Sequence, residues 1–262
     1  MIETEAGRGK RRRQRVLFDS VAELYDAARP VYPDDAVDYL VRAAGLGSAS
    51  TVLDVGCGTG QLTGKLAARG VVLTAIDIGP SMIAAARQRV RGGSVTFQAT
   101  SFEDLAADDG SFNAIVSADA FHWIDPELRF SKSARLLRPS GWLGVLSLQH
   151  FHDEPLRTAL QKMWVARSDD GGTWLSRPGP AIAEIIGESG YFGTAVETSY
   201  STRLSVPASS VVDLENTRAT SLSWPDDERR AFTEELRGHL TTESAGLTQV
   251  ATVTMAQVAC CH

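Results

Sequence analysis

The chain has 262 residues, 43% of them hydrophobic, with a formal net charge of −6 and a pI near 5.4. That is enough apolar material for one substantial core, and the acidic balance gives no global electrostatic case for a nucleic-acid partner. No segment approaches the ~18 continuous apolar residues that span a bilayer, the basic N-terminus has no apolar stretch behind it to make a secretory signal, and Cys57, Cys260 and Cys261 form neither a disulfide framework nor a metal-binding cluster; the expectation is a cytoplasmic protein with reduced thiols, no metal and no membrane partner.

Residues 1–15 read as a disordered polar tail ending in the run Arg8-Gly-Lys-Arg-Arg-Arg-Gln-Arg15. Phe18, Val21, Ala22 and Tyr25 are spaced as one face of a helix, which Arg29-Pro30 ends because a residue before proline avoids the helical region. A second helix is expected over Asp34–Ala44, closed by Gly45 and Gly47. From Thr51 the pattern alternates. Strands are predicted at Thr51–Val55, Val71–Ile76, Val95–Gln98, Asn113–Ser117 and Gly141–Leu148, with helices at 61–69, 81–91, 102–106 and from Asp125-Pro126 to Leu137 between them. Strands separated by helical stretches of about ten residues mean βαβ units and a parallel sheet. After His150 the rhythm changes. Helices are predicted at Pro155–Arg167 and Pro180–Ser189, a loop at 169–172 and a strand at Ala195–Ser205. Residues 208–241 read as helical in two pieces split near Ser223-Trp-Pro225, and β-branched residues predict a last strand at Val250–Ala259. Residues 16–262 form one domain on this reading, with cap elements at 16–47, 151–178 and 208–241.

The chemistry gathers at the carboxyl ends of the parallel strands, where open α/β sheets bind ligands. After the first strand comes Gly56-Cys-Gly-Thr-Gly60, a glycine turn leading into a helix, which brings backbone close to a ligand. After the second is Asp77, 21 positions beyond Gly56 and so placed to accept hydrogen bonds from two ribose hydroxyls. After the third is Ser101-Phe-Glu-Asp104, where Phe102 can cover an adenine ring, and after the fourth is Ala118-Asp-Ala-Phe-His-Trp123. A dinucleotide fold wants G-x-G-x-x-G so that a pyrophosphate sits on the helix N-terminus. Here the third glycine, Gly60, arrives one residue early, Gln61 stands where it belongs, and Asp54 precedes the loop. An acidic residue there opposes a pyrophosphate and suits a ligand carrying an ammonium and a sulfonium.

Asp54-Val-Gly-Cys-Gly-Thr-Gly60 resembles the first motif of class I S-adenosylmethionine-dependent methyltransferases, Asp77 matches that family's ribose-binding acid, and Leu136-Leu-Arg-Pro-Ser-Gly141 resembles its turn before the fifth strand. Phe18 to Pro33 together with Ala120-Phe-His-Trp123 is similar to the small-molecule, trans-aconitate methyltransferase-like branch. The resemblance covers residues 16–150 well and the rest in element order only. It implies a Rossmann-like α/β fold: a seven-stranded, mostly parallel sheet with helices on both faces, a helical cap, and an antiparallel last strand slotted between Gly141–Leu148 and Ala195–Ser205. It implies S-adenosyl-L-methionine as cofactor, with Asp54, Gly56, Cys57 and Gly58 at the methionine end, Asp77, Ile78 and Met82 around ribose and adenine, and Ser101 and Phe102 at the adenine edge. Tyr25 and Arg29 would close over the cofactor carboxylate and Ala120 would abut the sulfonium. Ser101 departs from the family, in which many members carry aspartate. His122 is the first candidate for a general base, with His150 and His152 behind it, because histidine titrates near neutral pH. Trp123, Trp164 and Trp224, with Trp174, offer apolar area to an acceptor, and Arg157, Arg203 and Arg218 could hold an acidic one. The expected activity is methyl transfer to a small molecule on O, N or C. The arginine-rich head keeps RNA or protein methylation as an alternative, and a cofactor-binding regulatory protein is another; the oligomeric state is open.

Overall fold

The computed structural model describes Gly9, residues 13–152, 154, 156–167, 182–243 and 247–261. Most of the basic head, the predicted loop at 169–172 and Trp174 lie outside the described residues. A 3-10 turn at Phe18–Val21 leads into α1 (Ala22–Ala28), and α2 follows at Asp34–Ala43. The alternating unit is β1 (Thr51–Val55), α3 (Gln61–Ala67), β2 (Val72–Asp77), α4 (Pro80–Arg89), β3 (Val95–Ala99), β4 (Phe112–Ala118), α5 (Arg129–Leu136) and β5 (Leu137–His152). Beyond it come α6 (Leu156–Ala166), α7 (Ile182–Glu188), β6 (Val196–Pro207), α8 (Ala208–Asn216), α9 (Ala219–Leu222), α10 (Asp226–Glu243) and β7 (Leu247–Cys260).

The strands make one seven-stranded sheet in the order β3-β2-β1-β4-β5-β7-β6. The first five are mutually parallel, and β7 runs antiparallel between β5 and β6, with Trp142 opposite Cys260 and Val196 opposite Val258. The central strands β1 and β4 are buried almost end to end, as expected of strands covered on both faces. Alternate residues of β1 feed opposite layers. Val52 packs with Val37 and Leu40 of α2 and Leu66 of α3, whereas Leu53 and Val55 pack with Phe121, Phe130, Ile186 and Phe192. The cap has its own core of Trp164, Val211, Val212, Phe232 and Leu236, drawn from α6, α8 and α10.

Several predicted elements come out differently. The stretch expected as two helical pieces split near Ser223-Trp-Pro225 is three helices, α8, α9 and α10, with a further break at Thr217 and Arg218. The helix expected at 102–106 is a single turn: Leu105 N–H reaches Ser101 O at 3.0 Å, while the Ser101 hydroxyl takes Asp104 N–H and bonds the Asp104 carboxylate. Those side chains satisfy backbone groups that a continuing helix would use. The helix expected from Asp125 begins at Arg129, because the Asp125 carboxylate binds Glu127 N–H and its carbonyl takes Leu128 and Arg129 N–H in a separate turn. The fifth strand is longer than predicted at both ends, since β4 pairs Phe112 with Leu137 at its start and β7 pairs with it as far as His152 opposite Val250.

Candidate active site

The strand order reverses between β1 and β4, so their carboxyl ends splay apart and leave a crevice. Gly56 opens the loop after β1 with φ +69°, and a Cβ there would stand 2.3 Å from the Cβ of Ala120, which follows β4. The two loops therefore meet backbone to backbone, and only glycine permits it. Gly58, with φ +54°, would meet nothing within 4 Å. Its missing side chain faces open space, the cradle a ligand needs.

Two recesses share this crevice. The larger, of about 700 Å³, is walled by Asp77, Ile78 and Met82, by Phe102 and Glu103, by Ala120 and Trp123, and on the outer side by Arg15, Phe18 and Tyr25. The smaller, of about 430 Å³, is walled by Asp54, Gly56, Cys57 and Gly58 together with Tyr25, Arg29, Tyr32 and Asp119. Val55 and Ile76 form the floor of the larger one, carried there by β1 and β2.

The Asp77 carboxylate accepts Gly58 N–H at 3.0 Å and Gly79 N–H at 2.8 Å, bracing the glycine loop against the end of β2. Burial raises its pKa, opposed by those two N–H donors. Asp54 is 0% exposed; one carboxylate oxygen takes the Thr63 hydroxyl at 2.6 Å and the other has no partner among the described residues. Burial pushes its pKa up to about 7 against the Thr63 hydrogen bond, with the Asp77 charge adding to the rise. A cationic group alongside would reverse that penalty. Burial likewise raises the Cys57 thiol well above its ordinary range, so it is no thiolate nucleophile.

Arg29 lies 4.8 Å over the Tyr25 ring and donates from Nε to the Thr217 hydroxyl and from Nη2 to the Thr217 carbonyl, at 3.2 and 2.8 Å. Burial keeps Tyr25 and Tyr32 protonated by raising both phenols. Asp119 stands between the recesses in a left-handed conformation, φ +51°, accepting the Tyr32 hydroxyl at 3.0 Å and Leu148 N–H at 2.8 Å. A non-glycine residue held there is strained, and such strain gathers at functional sites.

Of the residues singled out from sequence, Tyr25, Arg29, Asp54, Gly56, Cys57, Gly58, Asp77, Ile78, Met82, Phe102, Ala120 and Trp123 all wall the crevice. Ser101 does not: its hydroxyl is turned to Asp104. His122 is exposed on the outside of the 121–123 turn, its ring 4.9 Å from that of Trp123, and walls neither recess. Trp164 and Trp224 pack against each other at 4.7 Å and against Phe232 inside the cap, so they are core residues rather than acceptor walls. His152 is buried with Nε2 3.3 Å from Glu215. His150 has both ring nitrogens buried and without a partner among the described residues. Burial, then the Arg218 and Arg29 charges, push it down to about 3, so it is a neutral hydrogen-bonding group.

Sequence reasoning missed Asp119, Tyr32, Arg15 and Glu103. Arg15 belongs to the run taken for a tail, yet it donates to the Glu103 carboxylate at 2.9 Å.

The crevice fits S-adenosylmethionine on its own terms. It has an open glycine cradle shared by both recesses, a braced carboxylate at the end of β2 in the larger, and an orphaned buried carboxylate oxygen and an arginine in the smaller. The sequence profile of a methyltransferase domain matches residues 52–141. An uncharacterized methyltransferase of Mycobacterium tuberculosis is 31% identical over 235 residues, 90% of each chain. A ubiquinone biosynthesis O-methyltransferase of Xanthomonas oryzae is 38% identical over 133 residues, 47% of this chain and 55% of that one. Among solved structures, phosphoethanolamine N-methyltransferase 2 of Haemonchus contortus, complexed with S-adenosylhomocysteine, superposes with a TM-score of 0.56 at 16% identity over 92% of this chain and 57% of the other, a likeness of fold. A protein assigned as a type II methyltransferase from Anaeromyxobacter dehalogenans reaches 0.61 at 19% identity, over 88% and 97% of the two chains. With the glycine loop, Asp77 and the 3-2-1-4-5-7-6 sheet in place, the chain belongs to the class I S-adenosylmethionine-dependent methyltransferases.

Proposed function

We propose that the nucleoside of S-adenosylmethionine occupies the larger recess and its amino-acid tail the smaller, and that the methyl group passes to a small-molecule acceptor. When bound, the cofactor supplies a methyl group on a sulfonium sulfur, open to in-line displacement. The chain's part is to bind, align and exclude water. Asp77 accepts from the ribose hydroxyls. Ile78, Met82 and Phe102 flank the adenine, without help from Ser101. Arg29 takes the carboxylate at the end of the smaller recess, and Asp54 and Asp119 face its cationic groups. Phe18, Tyr25 and Trp123, with ring centroids 5.8 Å apart at each Phe18 contact, make the apolar outer wall. No imidazole walls either recess among the described residues, so no proton transfer is assigned to His122.

One observation carries the small-molecule reading. The crevice is roofed on both sides, by Arg15 and Phe18 bound down over the nucleoside recess and by Thr217 of the cap gripping Arg29. That leaves a recess rather than an open basic face. Part of the basic head is spent on Glu103, which removes support from nucleic acid. The test uses methyl-labelled cofactor with a cell extract split by size. Label in the low-molecular-weight fraction, unchanged on deletion of residues 1–12, is the expected result. Label confined to RNA or protein would overturn the reading, and absence of S-adenosylhomocysteine release with any fraction would favour a regulatory protein.

A further inference from the structure

Arg29 sits at the C-terminal cap of α1, where Pro30 turns the chain into extended backbone. Nothing on α1 itself orients its guanidinium beyond the face of Tyr25. The orienting groups come from 188 residues away, in the α8–α9 turn. Thr217 is 0% exposed, and its hydroxyl donates its single proton to Leu214 O at 2.8 Å. Its oxygen is therefore left to accept from Arg29 Nε, while its carbonyl accepts from Nη2. These two bonds use one edge of the guanidinium and leave Nη1 outside them.

The turn that carries Thr217 is itself fixed. Glu215, 1% exposed, receives Arg218 Nε at 2.7 Å and Nη2 at 2.9 Å, and Trp164 Nε1 at 3.3 Å. The Ser221 hydroxyl closes the turn from the other side, donating to Glu215 O at 2.7 Å. His152 of β5 lies 3.3 Å from the same carboxylate. A buried carboxylate bound this many times is a rigid post, because any displacement would strand its charge. The post stands on the cap core and on β5, and its outermost reach is Thr217 on Arg29.

We propose that Thr217 is a positioning residue for cofactor binding: it sets the Arg29 guanidinium at the amino-acid end of the crevice and so couples the helical cap to that part of the cofactor. The inference rests on the assignment of Arg29 to the cofactor carboxylate. It makes the cap's geometry a determinant of tail affinity, with the nucleoside recess independent of it. α8 packs directly on α1, which ties the cap to the helix that ends in Arg29.

The test compares S-adenosylhomocysteine with 5′-methylthioadenosine, which keeps the nucleoside and sulfur and lacks the amino-acid tail. Both affinities are measured by calorimetry, the weaker ligand by competition. Thr217→Val should weaken S-adenosylhomocysteine roughly tenfold, the scale of one hydrogen bond to a charged group. It should leave 5′-methylthioadenosine within about twofold, and Thr217→Ser should restore the loss. Arg29→Ala should lower the ratio of the two affinities further, and adding Thr217→Val to it should then change nothing. Equal weakening of both ligands by Thr217→Val would show a merely structural residue and overturn the proposal, as would no weakening of S-adenosylhomocysteine. If Arg29→Ala leaves the ratio unchanged, the Arg29 assignment fails and the proposal with it. If Arg29→Ala collapses the ratio and Thr217→Val does not, only the proposal fails.

Discussion

A few side chains decide the crevice because each is bound where no neighbour can replace it. Asp77 holds Gly58 and Gly79 N–H, and under the proposed function its remaining lone pairs accept from the ribose. Asp77→Ala should therefore weaken S-adenosylhomocysteine by about 100-fold or more, two charge-assisted hydrogen bonds' worth; unchanged affinity by calorimetry would remove Asp77 from the site. Gly56→Ala should destabilise the fold by roughly 1–3 kcal/mol, since its Cβ would strike Ala120 and the loop must move, read as a lowered melting temperature. Asp54 gives a pH signature. Burial raises it to about 7, so between the ordinary carboxylate range and pH 7 the folded chain holds a proton that the unfolded chain has lost. Stability contributed at this position then falls as pH rises from about 4 to about 7 and is flat above. The melting-temperature difference between the wild type and Asp54→Asn should follow that course; a difference independent of pH would contradict the burial of a titrating carboxyl.

Elements show how distant segments complete one another. Helix α4, which presents Met82 to the crevice, has no capping side chain of its own at Gly79. Its first turn is capped from the N-terminal segment: the Asp19 carboxylate accepts Ser81 N–H at 2.7 Å and Met82 N–H at 3.2 Å. An acid at a helix N-terminus satisfies orphan donors and complements the helix dipole. The Asp26–Arg89 ion pair joins α1 to the other end of the same helix. Asp19→Ala is expected to cost about 0.5–2 kcal/mol of stability and to weaken S-adenosylhomocysteine as well, because the same contact sets the outer wall. A loss of stability with no change in affinity would separate the cap from the site. The 102–105 turn is pinned in like manner, with Lys132 Nζ on the carbonyls of Glu103 and Leu105 at 2.9 Å each and 5.5 Å over the Phe102 ring.

At the scale of the molecule, β7 is the closing piece. It bridges β5 from Trp142 to His152 and β6 along its whole length, and neither of those strands pairs with the other. Removing residues 247–262 would strip a long row of backbone donors and acceptors on both sides. The truncated chain should lose cooperative thermal unfolding by circular dichroism and aggregate on a sizing column; a monomeric truncation with an intact melt would mean that the cap and the parallel strands stand alone. The electrostatic picture also changes at this scale. The chain carries a net charge of −6, yet the groups around the cap turn and the smaller recess include two arginines, Arg29 and Arg218, whose charges add to burial in keeping His150 neutral.

Local pattern was sufficient for the βαβ rhythm, the glycine cradle, Asp77 and the cofactor class, because each is written in neighbouring residues: alternation sets strands and helices, and Gly56, Gly58 and Gly60 straight after a strand mark a turn that brings backbone close to a ligand. The antiparallel last strand was legible through resemblance and through the β-branched run that forms it. The acceptor side was not. His122, Trp164 and Trp224 carry suitable chemistry, but direction in space is set by packing: one falls outside the crevice and two fall inside the cap core. Asp119, Tyr32, Glu103 and Thr217 carry no local mark, since the partners that bring them to the crevice or to Arg29 lie from 22 to 188 residues away in the chain. Sequence by itself determined which cofactor the loop suits, because that choice is made by contiguous residues at a strand end. Only the tertiary structure decided which side chains wall the crevice and what holds Arg29, because those contacts exist only once the cap, α1 and β5 have been brought together.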